Sequence, residues 1–92
     1  MREMDATLKK LVGEMVVVDV ASPFVYLGEL AGGDTSFLEL HFADVHDLRD
    51  TATTREEYVL AAGQHGITAN RKRVFISRAE VVSLSRLADI LC

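Results

Sequence analysis

The second predicted strand of this chain has a glycine on the face that should be buried. Its sequence, "PFVYLGELAGGD", covers residues 23–34, and apolar or aromatic side chains alternate at Phe24, Tyr26 and Leu30 with the period of a half-buried strand. Gly28 takes the position between Tyr26 and Leu30 on that face. Because a glycine weakens a strand interior, we expect Gly28 to mark a sharp bend in the strand.

The size and composition of the chain limit its class. With 92 residues it is expected to form one domain over 1–92, and its apolar (49%) and charged (26%) fractions are those of an ordinary soluble protein. No apolar run approaches the roughly 18 residues of a membrane span, and "MREMDATLKK" has no apolar signal core. Cys92 is the only cysteine, so no internal disulfide is expected, and a reducing cytoplasm is the expected location.

The net charge of −4 argues against a general nucleic-acid binder that depends on salt-sensitive contacts, since such proteins carry an excess of Lys and Arg. The basic residues are nevertheless clustered, because Arg71, Lys72 and Arg73 are consecutive and Arg78 follows them. Any nucleic-acid site must therefore be local.

A short amphipathic helix is predicted before the first strand. Leu8, Leu11 and Val12 have helical spacing in "DATLKKLVG". Asp5 is the predicted N-cap, and Gly13 lies just past the predicted end, where a glycine commonly terminates a helix.

Three strands follow and are expected to form an antiparallel meander. In the first, "GEMVVVDVAS", Val16, Val18 and Val20 share one face. The glycine-containing strand is the second, and "GGDTS" makes the turn to the third, "FLELHFADV". The residues of the third strand that are expected to point inward are Leu38, Leu40 and Phe42.

The segment from about residue 47 to 70 interrupts the strand pattern. Thr54 is followed three residues later by Glu57, which is a capping box for a helix. The other residues of this predicted helix are Val59, Leu60, Ala62 and the closing Gly66. Hairpin connections usually have roughly two to five residues, and such long insertions are commonly functional.

Two short strands complete the pattern. Val74 and Ile76 alternate in the fourth strand, and the chain breaks near Arg78. The apolar positions of the fifth strand are Val81 or Val82 and then Leu84. The fold class is therefore mainly β: an N-terminal helix, five strongly bent antiparallel strands closed into a small SH3-like barrel, and a helix inserted between the third and fourth strands.

The order of these features resembles the Sm-like family, which includes the Sm and LSm ring subunits and bacterial Hfq. Members of that family have a helix, a glycine and an alternating valine strand, as "LVGEMVVVDV" has here. The aromatic-x-Gly-x-Leu pattern of the family occurs at Tyr26, Gly28 and Leu30, and Asp34 corresponds to the aspartate of its turn. Another five-stranded barrel of the SH3 or OB type is the alternative fold.

The second motif of the family, Ile-Arg-Gly, is altered in this chain. Ile76 is present with the apolar spacing after it, but "ISR" places Ser77 at the arginine position and Arg78 at the glycine position. The asparagine that typically follows the turn aspartate is absent from "DTSFLEL", where Phe37 lies near its place.

The resemblance implies a homo-oligomeric ring of roughly five to seven subunits, in which the fourth strand of one subunit pairs with the fifth of the next. It also implies that uridine- or adenine-rich single-stranded RNA binds in the pore, where Phe37 could stack on a base and Arg78 could hold a phosphate. The RNA-binding residues expected from this resemblance are Asp34, Phe37, Ser77 and Arg78, with Arg71, Lys72 and Arg73 as auxiliary phosphate contacts.

Alternatives to this site and this function stay open at the level of the sequence. Phe37 could be strand packing, Arg78 a solvated turn residue, and the basic run a charged edge strand that discourages unwanted pairing. The alternative function is that of an oligomeric protein-interaction or scaffolding module that binds protein partners through the helix at 54–66 and does not bind RNA.

Metal and catalytic chemistry are not indicated. "HFADVHD" contains the ligand-type residues His41, Asp44, His46 and Asp47, but polar residues at a strand end are usually solvated, and we predict no metal site. Ser77, Ser83 and Ser85 have no histidine placed near them by the sequence, and no phosphate-binding glycine motif connects a strand to a helix. We therefore expect neither an enzyme nor a cofactor.

Overall fold

The structure is a computed structural model that describes residues 2–50 and 52–91, with side chains from residue 6 onward. Its helices and strands, in chain order, are α1 (Arg2–Leu11), β1 (Met15–Val20), β2 (Phe24–Gly33), β3 (Phe37–Asp47), α2 (Arg55–His65), β4 (Arg71–Ser77) and β5 (Val81–Arg86). Short 3-10 turns follow β3, β4 and β5. Cys92, and with it the expectation of no internal disulfide, lies outside the described residues.

The five strands form one antiparallel sheet in the order β4-β3-β2-β1-β5. The edge strands of this sheet are therefore β4 and β5, the last two strands in the chain. The predicted fold class is confirmed: the structure has an N-terminal helix, five antiparallel strands and a helix inserted between β3 and β4.

Strand β2 approaches β3 very closely at Gly28. A Cβ atom placed on Gly28 would lie 3.0 Å from the Cα of Ala43 and 3.2 Å from the carbonyl oxygen of His41. The pairing register also shifts here, since Leu27 pairs with Asp44 and Glu29 pairs with His41. Two residues of β3 thus stand opposite one residue of β2, which is a β-bulge, a feature that bends and twists a strand.

The bulge corrects the prediction for Phe42. This residue was expected to point inward, but its side chain is 59% exposed and its φ angle is +50°. The extra residue of the bulge breaks the strict alternation of side chains, and the fully buried Ala43 takes the inward position. Leu38 and Leu40, which precede the bulge, are buried as predicted.

The sheet is buried on both faces around β1. Val16, Val18 and Val20 belong to a core on one face, together with Leu8 of α1. Val17 belongs to a second core on the opposite face, beneath α2. The other buried members of this second core are Val25, Leu27, Val59 and Ala62.

Helix α1 is attached to β2 at its C-terminal end. Gly13 has a φ angle of +90°, which glycine adopts readily, and its N–H donates to the carbonyl oxygen of Leu30 at 2.8 Å. The helix begins at Arg2, so Asp5 lies within it, and the prediction of Asp5 as the N-cap is wrong.

The inserted helix has the predicted caps. The Thr54 hydroxyl accepts from the backbone N–H of Glu57, and the Glu57 carboxylate accepts from the backbone N–H of Thr54. At the other end, Gly66 has a φ angle of +88° and donates its N–H to the carbonyl of Ala62 at 2.8 Å. Glu57 is exposed, and its hydrogen bonds with Thr54 lower the pKa of its carboxyl.

A buried carboxylate connects α2 to the sheet. Asp44, which is 6% exposed, accepts hydrogen bonds from the Tyr58 hydroxyl and from the side-chain amide of Asn70. His46 stacks on Tyr58 with ring centroids 3.9 Å apart. Burial and the adjacent carboxylate both raise the pKa of Tyr58, so its phenol remains a donor to Asp44.

A second contact attaches the start of α2 to β1. The Arg55 guanidinium donates to the Asp19 carboxylate at 2.9 Å and to the carbonyl oxygen of Ser22 at 3.3 Å. Ser83 of β5 donates to the other oxygen of Asp19 at 3.0 Å. Helix α2 is therefore held to the barrel at two separate points.

Gly28→Ala should destabilise the protein. Because the new Cβ would lie 3.0 Å from backbone and cannot be accommodated by a rotamer change, we expect a loss of about 1–3 kcal/mol in the free energy of unfolding, measured by urea denaturation. Gly32→Ala is the matched control, since nothing lies within 4 Å of the position that its methyl group would take, and it should change stability by less than about 0.5 kcal/mol. Equal effects at the two positions would contradict the role given to Gly28.

Tyr58→Phe should destabilise the protein by about 1–3 kcal/mol, because it leaves an oxygen of the buried Asp44 without its donor. The control is Tyr26→Phe, whose hydroxyl makes no hydrogen bond to the residues that the structure describes. Urea denaturation of both variants measures the difference. A Tyr58→Phe protein as stable as the Tyr26→Phe protein would show that Asp44 does not anchor α2.

Candidate nucleic-acid interface

Two turns meet at one end of the sheet. Phe37, the first residue of β3, pairs with Ser77, the last residue of β4. Beyond this pair, the Arg78 N–H donates to the carbonyl oxygen of Ser36 at 2.9 Å, and the Arg78 guanidinium donates to the carbonyl oxygen of Asp34. The four residues Asp34, Phe37, Ser77 and Arg78, here called the turn cluster, thus lie close together at this end of the sheet.

Asp34 organises the turn between β2 and β3. Its Oδ1 atom accepts from the backbone N–H groups of Ser36 and Phe37, each at 2.8 Å, and its own N–H donates to the Phe37 carbonyl at 2.9 Å. These backbone donors, with a smaller contribution from the Arg78 charge, lower the pKa of the Asp34 carboxyl. Asp34 is therefore an ionised, solvent-exposed carboxylate at neutral pH.

Phe37 lies on the outward face of β3 and is 47% exposed. Its side chain lines a cavity of about 210 Å³ together with Gly33, Asp34, Glu39 and Phe75. Phe75, on β4, is 57% exposed and points to the same outward face, because Glu39 and Phe75 pair across the two strands. The turn cluster is thus continuous with a small cavity that has two aromatic and two acidic residues in its lining.

The structure resembles a solved protein. A Pyrococcus abyssii Sm protein in complex with a uridine heptamer superposes on this chain with a TM-score of 0.61, covering 88% of this chain and 93% of the other, at 16% sequence identity. The chain has the Sm fold. No protein-family model and no curated protein matches its sequence.

The three consecutive basic residues lie away from the turn cluster of this Sm fold. Arg73 pairs with His41, and Arg71 pairs with Ala43. Within β4, Arg73 is four residues from Ser77, which corresponds to roughly 13 Å along the strand. Arg71 and Arg73 alternate with Lys72, which points to the opposite face. Arg73 Nε lies 3.2 Å from the Glu39 carboxylate, and Arg71 donates to the carbonyl oxygen of Asn70 at 3.0 Å.

The ligand-type residues of "HFADVHD" have other contacts. Asp44 and His46 contact Tyr58, His41 lies 2.6 Å from the Glu39 carboxylate, and Asp47 pairs with Arg49 at 2.9 Å. Within 2–50 and 52–91, no three residues of the His, Cys, Asp and Glu types are grouped to hold a metal ion. Neither α1 nor α2 has the length and apolar content of a membrane-spanning helix.

Phe75 and Glu39 are cavity residues that the sequence reasoning missed. The alternation that placed Val74 and Ile76 in the core also places Phe75 on the outward face, so a signal for Phe75 was present in the sequence. The pairing of Glu39 with Phe75 depends on the register between β3 and β4, which no local pattern specifies.

The hydrogen bonds of Asp34 should be lost only in acid. The pKa of Asp34 in the folded protein is below its ordinary value of 3.8. The stabilisation that the ionised carboxylate contributes to the folded state is therefore complete above pH 3.8, and it declines as the pH falls through the pKa of the folded protein. We expect the ¹H–¹⁵N signals of Ser36 and Phe37 to shift with a midpoint below pH 3.8, and this shift to be absent in Asp34→Asn. A midpoint above 3.8 would contradict the geometry of the turn.

Proposed function

We propose that this chain binds single-stranded RNA at the turn cluster. The observation that carries the proposal is an exposed aromatic ring, Phe37, within two paired turns that also hold the Arg78 guanidinium. The likeness in fold to an Sm protein that was solved with a uridine heptamer supports the choice of ligand.

The turn cluster has the chemistry that single-stranded RNA requires. Unpaired bases stack on aromatic rings largely independently of sequence, and each such stack contributes roughly 1–3 kcal/mol. A guanidinium carries five N–H donors and a planar face, so Arg78 can support the turn through Asp34 and also contact a phosphate or a base. Arg71, Lys72 and Arg73 remain candidates for auxiliary phosphate contacts along β4.

A ring would offset the weak binding that is expected of a single site on a subunit with a net charge of −4. One site with few cations binds weakly, but several sites presented to one strand of RNA increase the overall affinity through effective concentration. The two edge strands, β4 and β5, offer backbone donors and acceptors for pairing between subunits, and neither contains a proline. We therefore propose a homo-oligomeric ring of roughly five to seven subunits, joined by β4 of one copy and β5 of the next.

Scaffolding through the inserted helix has less support than RNA binding. Helix α2 covers Val17, Val25 and Leu27 with Val59 and Ala62, and this packing accounts for the insertion without a partner. Deletion of α2 would expose that core, so it cannot separate the two functions. Substitution of single exposed residues tests RNA binding more sharply, because it leaves that core covered by α2.

The test measures the affinity of labelled uridine and adenosine heptamers at low salt by fluorescence anisotropy. Phe37→Leu keeps an apolar side chain but removes the aromatic face, so we expect it to weaken binding roughly tenfold. Phe42→Leu is the matched control, because Phe42 is also exposed but lies on the bulge outside the turn cluster, and it should bind like the wild type.

Native mass spectrometry of the same samples reports the number of subunits and the bound heptamer together. A ring with bound RNA is the expected species. Failure of both heptamers to bind the wild type would overturn the proposed function, and a monomer at micromolar concentration would overturn the proposed ring.

A further inference from the structure

Two aromatic side chains are exposed side by side on the outward face of β3 and β4. Phe37 pairs with Ser77 and Glu39 pairs with Phe75, so Phe37 and Phe75 are diagonal neighbours on one face. Diagonal neighbours in an antiparallel pair lie roughly 7–8 Å apart, within reach of aromatic side chains. Both rings line the cavity of about 210 Å³, and both are about half exposed.

The charges around this cavity favour a nucleobase over a phosphate within it. Asp34 and Glu39 are two of its lining residues, and their negative charges would repel a phosphate. The nearest outward cation on β4 is Arg73, two residues from Phe75, or roughly 6.7 Å along the strand. Its side chain is 58% exposed, and Glu39, at 3.2 Å from Arg73 Nε, positions it.

Sheet faces with adjacent aromatic side chains recognise RNA elsewhere by stacking two or three successive bases. The same chemistry is available here, because aromatic rings occupy neighbouring strands and a guanidinium follows on one of them. Pairing between subunits through the edge of β4 would use its backbone groups and would leave this face open, since side chains stand perpendicular to the sheet.

We propose that Phe75 stacks a second base, next to the one on Phe37, and that Arg73 contacts the phosphate of that second nucleotide. This inference rests on the proposed function and extends it, because each subunit then holds two consecutive nucleotides. It assigns the phosphate contact on β4 to Arg73 and excludes Lys72, which lies on the other face.

The aromatic part of the proposal is tested with the uridine heptamer and two substitutions at one position. Phe75→Leu keeps apolar bulk without a π face and should weaken binding roughly tenfold, whereas Phe75→Tyr keeps the ring and should bind within about threefold of the wild type. Equal thermal unfolding midpoints of the two variants would show that both remain folded, as expected for an exposed side chain.

The phosphate contact is tested by the salt dependence of the same affinity. Arg73→Gln should reduce the slope of log affinity against log salt by about 0.7 for each phosphate that the side chain neutralises, and Lys72→Gln should leave the slope unchanged. These two variants remove the same charge from adjacent positions of one strand. A difference between their salt slopes would therefore be caused by the face on which each side chain lies and not by the change in net charge.

The outcomes separate this inference from the proposed function. If Phe37→Leu weakens binding but Phe75→Leu and Arg73→Gln bind like the wild type, the second nucleotide site is overturned and the proposed function stands. If the wild type binds no heptamer, both are overturned. If Arg73→Gln and Lys72→Gln change the salt slope equally, the assignment of the phosphate to Arg73 is wrong.

Discussion

The close approach of β2 to β3 at Gly28 is the contact on which the rest of the structure depends. A Cβ at position 28 would press against the backbone at Ala43 and force it to shift, and the bulge opposite Gly28 absorbs the bend of the strand. The bulge sends Phe42 outward and Ala43 inward. It also fixes the position of Asp44, the next residue, beneath Tyr58 of the inserted helix.

The inserted helix packs on the sheet and completes its second core. Because α2 covers the face of the sheet that bears Val17, strand β1 is buried on both sides, which explains three consecutive buried valines in "MVVVDV". The polar contacts of Asp44 and Asp19 hold the helix at two points on the sheet that it covers.

The turn cluster could be predicted from the sequence, whereas its surroundings could not. The resemblance to the Sm-like family pointed to Asp34, Phe37, Ser77 and Arg78 as one site, and the pairing of Phe37 with Ser77 places these residues close together. The neighbours of Phe75 on β3 depend on the register of β3 against β4, whereas the division of the basic run between two faces follows from alternation within β4. That register runs without a shift from the Phe37–Ser77 pair to the Ala43–Arg71 pair, and no local pattern in either strand specifies it.

The sequence by itself determined the elements, the capping box at Thr54 and the valine faces of β1. These features depend on interactions between residues that are close to one another in the sequence. Only the tertiary structure decided that Phe42 is exposed, that α2 closes a second core, and that Phe37 and Phe75 share a cavity. The physical reason is that each of these outcomes depends on which distant residues meet, and a single extra residue in one strand changes the face of every side chain after it.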